Sequence, residues 1–296
     1  MEDVGVWRLW LGASGLTGVG LAVCGALYGK SILRRGASLT IALMLPAIPW
    51  SMAESAVVPR AVFGIATCIG LVKWLQLTLE RDDGGVRYRV WQWTSVFDVR
   101  DARAQPRIFD GALAARCVVG FALSSAAVAT LRSELGREWG WSLAASTVLV
   151  VALADAITHS VRVFYLALGL YVPPIMDNTF YPSSVANFWG RRWNRTVSQW
   201  LRRHVFIPIA RRRGVGVAMA AAFVVSAAVH FYVAWVPLGV WDGVLMGTFF
   251  LVQIPLIAVE RAWIPKRFQR AYAILVLLLS APLFVIPVIA VVRAGL

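Results

Sequence analysis

The chain has 296 residues, 59% of them hydrophobic, and carries a formal net charge of +14 from 29 basic and 15 acidic side chains. Its apolar residues fall in runs of about 20, the length that crosses a ~30 Å hydrocarbon core, which excludes a water-soluble globular domain and makes this a polytopic membrane protein. The basic excess would suit nucleic acid, but it is confined to the segments between apolar runs, so it reports topology and no nucleic-acid partner is expected.

In chain order the apolar runs predict about eight spans, at 4–28, 37–53, 60–79, 111–131, 142–170, 215–236, 241–259 and 271–292. Each must be helical, because a backbone polar group in lipid has to find its partner within its own segment. The expected fold class is therefore all-α, a transmembrane bundle. No linker or repeat divides it, so residues 1–296 form a single domain. Glu2 and Asp3 stand where a secretory signal would carry Lys or Arg, so the first span is expected to stay in place. Cys24, Cys68 and Cys117 all fall within predicted spans without metal-ligand spacing, which predicts free thiols and no metal site. Arg8, Lys73, Arg116 and Arg162 are expected to snorkel partly toward headgroups.

Two stretches between spans are long enough to hold structure. The first, 80–110, has mixed charge and the aromatic residues Trp91, Trp93 and Phe97, and reads as a solvated loop with anchors rather than an interfacial lid. Asp155 and His159, one helical turn apart in the fifth span, predict an i, i+4 hydrogen bond. In the second stretch, Pro173, Pro174 and Pro182 break the chain, after which Ser183 or Ser184 can cap a helix reaching about His204. On a helical wheel Trp189, Trp193, Val197, Trp200 and Leu201 share one face and Arg191, Arg192, Arg195, Arg202 and Arg203 the other. That pattern predicts an amphipathic helix in the interface, with Asn194 at the edge of the apolar face and His204 at the helix end. Downstream, His230 sits inside the apolar segment 215–235, where an ionisable group is a functional-site hypothesis by default. Gln253 and Glu260 add polar positions near the end of the seventh predicted span, with Glu260 expected to pair with Arg261 or a neighbour.

Of the basic residues outside the spans, twenty-one lie in one alternating set of loops and four in the other. The positive-inside rule then places the rich loops, 171–213 among them, in the cytoplasm. Arginine far exceeds lysine, which points to a GC-rich genome and a bacterial plasma membrane, or to the endoplasmic reticulum in a eukaryote.

The run Phe188-Trp189-Gly190-Arg191-Arg192-Trp193-Asn194, preceded by Ser183 and Ser184, resembles the signature of the wax-synthase-type branch of the membrane-bound O-acyltransferases. His230, in Val224-Val225-Ser226-Ala227-Ala228-Val229-His230-Phe231, is similar to that family's second hallmark. The resemblance is specific over 180–236. One position departs from it: Asn187 stands where the branch usually has an acidic residue. The resemblance implies an enzyme that moves an acyl group from acyl-CoA, a co-substrate rather than a cofactor, to the hydroxyl of a lipophilic alcohol. It implies His230 and Asn194 as catalytic residues, and the motif residues Trp189, Arg191, Arg192 and Trp193 as substrate contacts.

The chemistry suits these groups. Attack by an alcohol requires removal of its proton, a task for a neutral histidine near its reference pKa. A fixed amide such as that of Asn194 can stabilise the oxyanion, position the carbonyl, or orient the histidine. Guanidinium groups bind the phosphates of a nucleotide donor well. The competing expectation is a small proton-coupled transporter using Asp155, His159 and Lys73 as a relay. Paired halves with broken helices, which many carriers show, are not evident in the sequence.

Overall fold

The computed structural model describes residues 42–79 and 85–295, together with residues 12, 36, 39 and 40. Apart from residue 12, the predicted span 4–28, with Arg8 and Cys24, lies outside the described residues. In chain order the helices are α1 (Val57–Leu79), α2 (Gly85–Thr94), α3 (Gly111–Arg132), α4 (Trp139–Ala167), α5 (Arg195–Leu201), α6 (Ile207–Arg213), α7 (Val215–Leu238), α8 (Val240–Trp263) and α9 (Lys266–Ala294). Six of them, α1, α3, α4, α7, α8 and α9, are long and apolar enough to cross a membrane. Their ends fall within a few residues of the predicted spans. One two-residue pair, β1 (Arg103–Ala104) with β2 (Leu170–Tyr171), clips the loop after α2 to the chain leaving α4.

Six of the about eight predicted spans are found among the described residues; the span 4–28 lies outside them and 37–53 only partly within. The described part of 37–53 is the short apolar helix Ala42–Ser51. Its Pro46 and Pro49 withhold backbone donors, and residues Leu45–Ser51 tighten into a 3₁₀ helix. The segment leans on α1 and α7: Tyr232 Oη donates to the Pro46 carbonyl at 2.8 Å, and Trp50 meets Trp235 edge-on at 4.9 Å.

The two most extensive helix pairings are antiparallel hairpins, α3 with α4 and α7 with α8. Both depend on glycine where helices touch, since lipid offers no hydrophobic drive and close van der Waals contact must replace it. A Cβ at Gly120 of α3 would come within 2.9 Å of the Ala156 Cβ on α4, and one at Gly243 of α8 would meet the Phe231 carbonyl at 2.9 Å. Helix α9 closes the bundle, with Arg293 donating to the Gly136 carbonyl and Ser142 Oγ at the α3–α4 turn. Because consecutive spans alternate in direction, the stretches 80–110 and 168–214 lie on the same side.

Candidate functional site

The segment 172–213 does not form the single amphipathic helix expected. Ser184 does cap a helical turn, Val185–Asn187, by accepting from the Asn187 backbone N–H. The chain then widens into a π-helical turn, Phe188–Arg192, and breaks at Trp193, whose backbone is extended. Asn194 follows in the left-handed region, φ 40°, and starts α5 with its own side chain, Oδ1 accepting from the Val197 N–H at 3.3 Å. Asparagine is among the few residues that tolerate this region, and it is a preferred cap, so the sequence breaks the helix at Asn194 for local reasons. A uniform helical wheel cannot anticipate such a break. His204 is not a helix end, because the chain stays helical through α6. Burial, then the positive charges of Arg203 and Arg100, push its pKa below the usual value.

Asn187 takes the place of the acid expected before Phe188. Its Oδ1 accepts from the Ser183 N–H at 3.1 Å and from Arg192 Nε at 2.6 Å, so an amide oxygen supplies the acceptor here. Arg192 also donates to the Asn178 carbonyl at 3.0 Å, while Arg195 pairs with Asp177 at 3.1 Å. Backbone bonds from Asp177 to Arg192 and from Arg195 to Ile175 complete a clasp around the break, and the Asn194 N–H points at Met176 Sδ, 3.3 Å away. Arg191 is exposed, and Trp193 stacks on Phe188 at 5.7 Å.

Trp189 shows how deep this segment reaches. Its ring lies 6.1 Å from Phe223, 5.8 Å from Phe249 and 5.4 Å from Phe250. Phe223 is eight residues into α7, about 12 Å from the helix start, so the motif packs well inside the helix bundle rather than at its end. Irregular backbone at that depth survives only when protein satisfies it. Two side chains of α8 do so. Gln253, fully buried, accepts from Trp189 Nε1 at 3.2 Å and donates to the Phe249 carbonyl and Ser280 Oγ. Glu260, also buried, accepts from the Val185 N–H at 2.7 Å and the Ala186 N–H at 3.4 Å, placing a carboxylate at a helix start, where an anion is favoured. The expected pairing of Glu260 with Arg261 gives way to this contact. The sequence signal was present: two polar residues seven apart, two helical turns, on one face of an apolar span.

His230 is partly exposed on α7, and its ring lies against Phe250 at 3.9 Å, the same phenylalanine that touches Trp189. Its Nδ1 is 2.8 Å from the Ser226 carbonyl. A carbonyl can only accept, so Nδ1 carries the proton and Nε2 keeps a lone pair. No hydrogen bond joins His230 to Asn194 among the described residues; the rings of Trp189 and Phe250 tie the motif's first half to the histidine.

The second polar cluster differs from expectation. Arg116 makes a two-pronged ion pair with Asp155, both bonds 2.7 Å long. His159 Nδ1 contacts the Asp155 backbone carbonyl at 2.7 Å and its carboxylate only at 3.5 Å. Lys73 is buried and donates to the Phe97 carbonyl at 3.1 Å. A cleft of about 250 Å³ opens beside Arg116 and Asp155, and one of about 420 Å³ lies near Thr94 and Tyr165. Asn194 and His230 line neither. Cys68 and Cys117 are free thiols.

Residues 172–252, which hold the whole motif and His230, match the model of the Membrane bound O-acyl transferase family. A curated relative from Arabidopsis thaliana, "Probable long-chain-alcohol O-fatty-acyltransferase 3", is 31% identical over 121 residues, 36% of this chain and 34% of its own length. A second from that plant, "Probable long-chain-alcohol O-fatty-acyltransferase 2", is 34% identical over 80 residues, 23% of each chain. The match thus spans about a third or less of either relative. The likeness to the membrane-bound O-acyltransferase family is carried by the 172–252 segment.

Proposed function

We propose that this protein is a membrane-bound O-acyltransferase that transfers an acyl group from acyl-CoA to the hydroxyl of a long-chain or otherwise lipophilic alcohol, releasing CoA and a wax-type ester. The observation that carries the reading is the aromatic bridge Trp189–Phe250–His230, which packs the motif and the intramembrane histidine into one cluster. The names of the two plant relatives supply the substrate class.

In this reading the neutral His230 acts through Nε2. It takes the alcohol proton as the oxygen attacks the thioester carbonyl; the C–O bond forms, the C–S bond breaks, and the proton passes to the leaving thiolate. Asn194 assists by donating its amide N–H groups to the carbonyl oxygen, whose charge grows in the transition state. That role is compatible with its cap, which uses the amide oxygen and leaves the nitrogen available. Arg191, exposed beside the break, meets the donor phosphates, and Trp189, Trp193 and Arg192 shape the donor end. The loop charge asymmetry supports a cytoplasmic entrance, the side where acyl-CoA is found. Incubating the purified protein with acyl-CoA and a long-chain alcohol tests the reading. Ester and free CoA should appear in equal amounts, and CoA release without ester would overturn it.

The carrier reading has less support. Arg116 already neutralises Asp155, and Lys73 donates to a loop carbonyl, so neither is poised as the free end of a proton relay.

A further inference from the structure

The Arg116–Asp155 pair is an expensive feature with no part in the proposed chemistry. A charge within the hydrocarbon region is costly to hold, and pairing it only reduces that cost. The pair is also not sealed: the Arg116 side chain is 36% exposed and Asp155 10%. It forms the polar part of the 250 Å³ cleft, whose walls are Val119, Leu123 and Ala152 on α3 and α4 and the turn carrying Asn178 and Phe180. Val119, Leu123 and Phe180 are exposed, so the cleft opens sideways toward the acyl chains of the bilayer. Its rim is also the clasp of the motif, because the Asn178 carbonyl accepts from Arg192.

We propose that this cleft binds the hydroxyl end of a single-chain alcohol arriving from the bilayer, as a docking site separate from His230. The chemistry of the pair selects this occupant. Arg116 spends Nε and one N–H of Nη2 on Asp155, leaving donors, and each carboxylate oxygen keeps a lone pair. A hydroxyl donates to the carboxylate and accepts from the guanidinium at once, without adding charge to the membrane interior. A carboxylate or phosphate would be repelled by Asp155, and an ammonium by Arg116. The volume argues for one end of one chain. It falls below the roughly 300 Å³ at which pockets enclose whole ligands, so the tail remains among lipids. The docking site rests on the acyltransferase reading only in making this alcohol a substrate.

Full-length protein in phosphatidylcholine nanodiscs, without any acyl donor, is irradiated with a long-chain alcohol bearing a diazirine near its hydroxyl, and labelled peptides are mapped. Label is expected in the peptides holding Arg116 to Leu123 and Asn178 to Tyr181, competed by unlabelled hexadecan-1-ol. Leu123→Trp fills the cleft from a lipid-facing position that spares the ion pair and the fold. It should cut labelling roughly tenfold, and Asp155→Asn, which removes a charged acceptor, by a similar factor. Equal labelling by the matching alkane or fatty-acid probe, or unchanged labelling in Leu123→Trp, overturns the proposal. Ester formation is followed separately. Ester made without cleft labelling sinks the docking site alone, whereas cleft labelling without any ester sinks the acyltransferase reading alone.

Discussion

Two histidines lie within spans of this protein, and both are held in the same way. His230 meets the carbonyl of Ser226 and His159 that of Asp155, each four residues earlier. Helix geometry offers this bond to any intrahelical histidine, so the resulting tautomer does not by itself mark a base. The surroundings separate them. His230 is partly exposed, rests on Phe250 and reaches the motif through it, with neutral groups around it. His159 is only 5% exposed and sits beside an ion pair. One region is dry, aromatic and tied to irregular backbone; the other is charged and built on two regular helices. A base must be reachable, and the partial exposure of His230 meets that need.

The sharpest way to break this comparison is to delete each imidazole. His230→Ala should lower ester formation by about 10²–10⁴-fold, the usual worth of a positioned general base, with donor binding little changed. His159→Ala should leave turnover within a few-fold of the parent in the fraction that folds. Rates and acyl-CoA affinity, measured on both purified variants, check this. The reverse order of effects would transfer the catalytic role to the charged region.

Asn194 sharpens the comparison inside the first region, because it has two tasks. Its positive φ and its cap shape the chain, while its amide is proposed to act on the carbonyl. Glycine accepts the same φ, and replacing a cap residue by glycine costs only a few tenths of a kcal/mol. Asn194→Gly should therefore keep the thermal midpoint nearly unchanged yet lower turnover about 10²–10³-fold. A glycine variant with near-parental turnover would mean that Asn194 serves conformation alone.

Most of the bundle was legible because hydropathy and length report a span directly. The six helices match expected segments, from α1 with its sequence range 60–79 to α9 with 271–292. What failed was local or long-range. Pro46 and Pro49 accompany a 3₁₀ stretch, Leu45–Ser51, in the 37–53 segment, a feature that an average over apolar residues hides. Asn194 interrupts a pattern that is amphipathic on paper, because a left-handed residue costs less there than continued helix. The partners Glu260 with Val185 and Arg116 with Asp155 join positions far apart in sequence, which no periodicity can supply. His230 and the motif were visible as residue types, whereas their bridge through Phe250 belongs to the fold.

The supports of the two regions should differ in stability as well. Glu260→Ala leaves the Val185 N–H buried and without its acceptor, at a cost of about 1–3 kcal/mol, and frees the start of the motif. Glu260→Gln keeps one oxygen acceptor and should recover much of the loss in midpoint and turnover. In the charged region, Asp155→Ala strands Arg116, but that side chain is a third exposed and can move toward water, so the loss should be smaller. Thermal unfolding in one detergent ranks the three variants, and a Glu260→Ala midpoint equal to the parent's would show that the motif holds itself.

The smallest effect is expected at the outer edge of the first region. There Asp98 joins Arg100 at 2.6 Å and Arg203 at 2.7 Å, tying the loop before α3 to the turn after α5. Burial raises the Asp98 pKa, but hydrogen bonds from Arg100 and Arg203 outweigh it and hold the carboxyl at about 2, below its ordinary 3.8. A depressed folded-state pKa stabilises above the unfolded value, so the contribution is full above about pH 4 and fades as pH falls toward 2. Arg203 is nearly half exposed, and the tie should be worth under about 1 kcal/mol and weaken in salt. Arg203→Ala should lower the midpoint by no more than a few degrees at neutral pH in low salt, with the difference from the parent shrinking toward pH 2 and at high salt. The Arg116–Asp155 pair, more deeply held, should respond far less to salt. If salt erased the midpoint effect of Asp155→Ala as readily as that of Arg203→Ala, the contrast between a charge pair inside the bundle and one at its edge would fail.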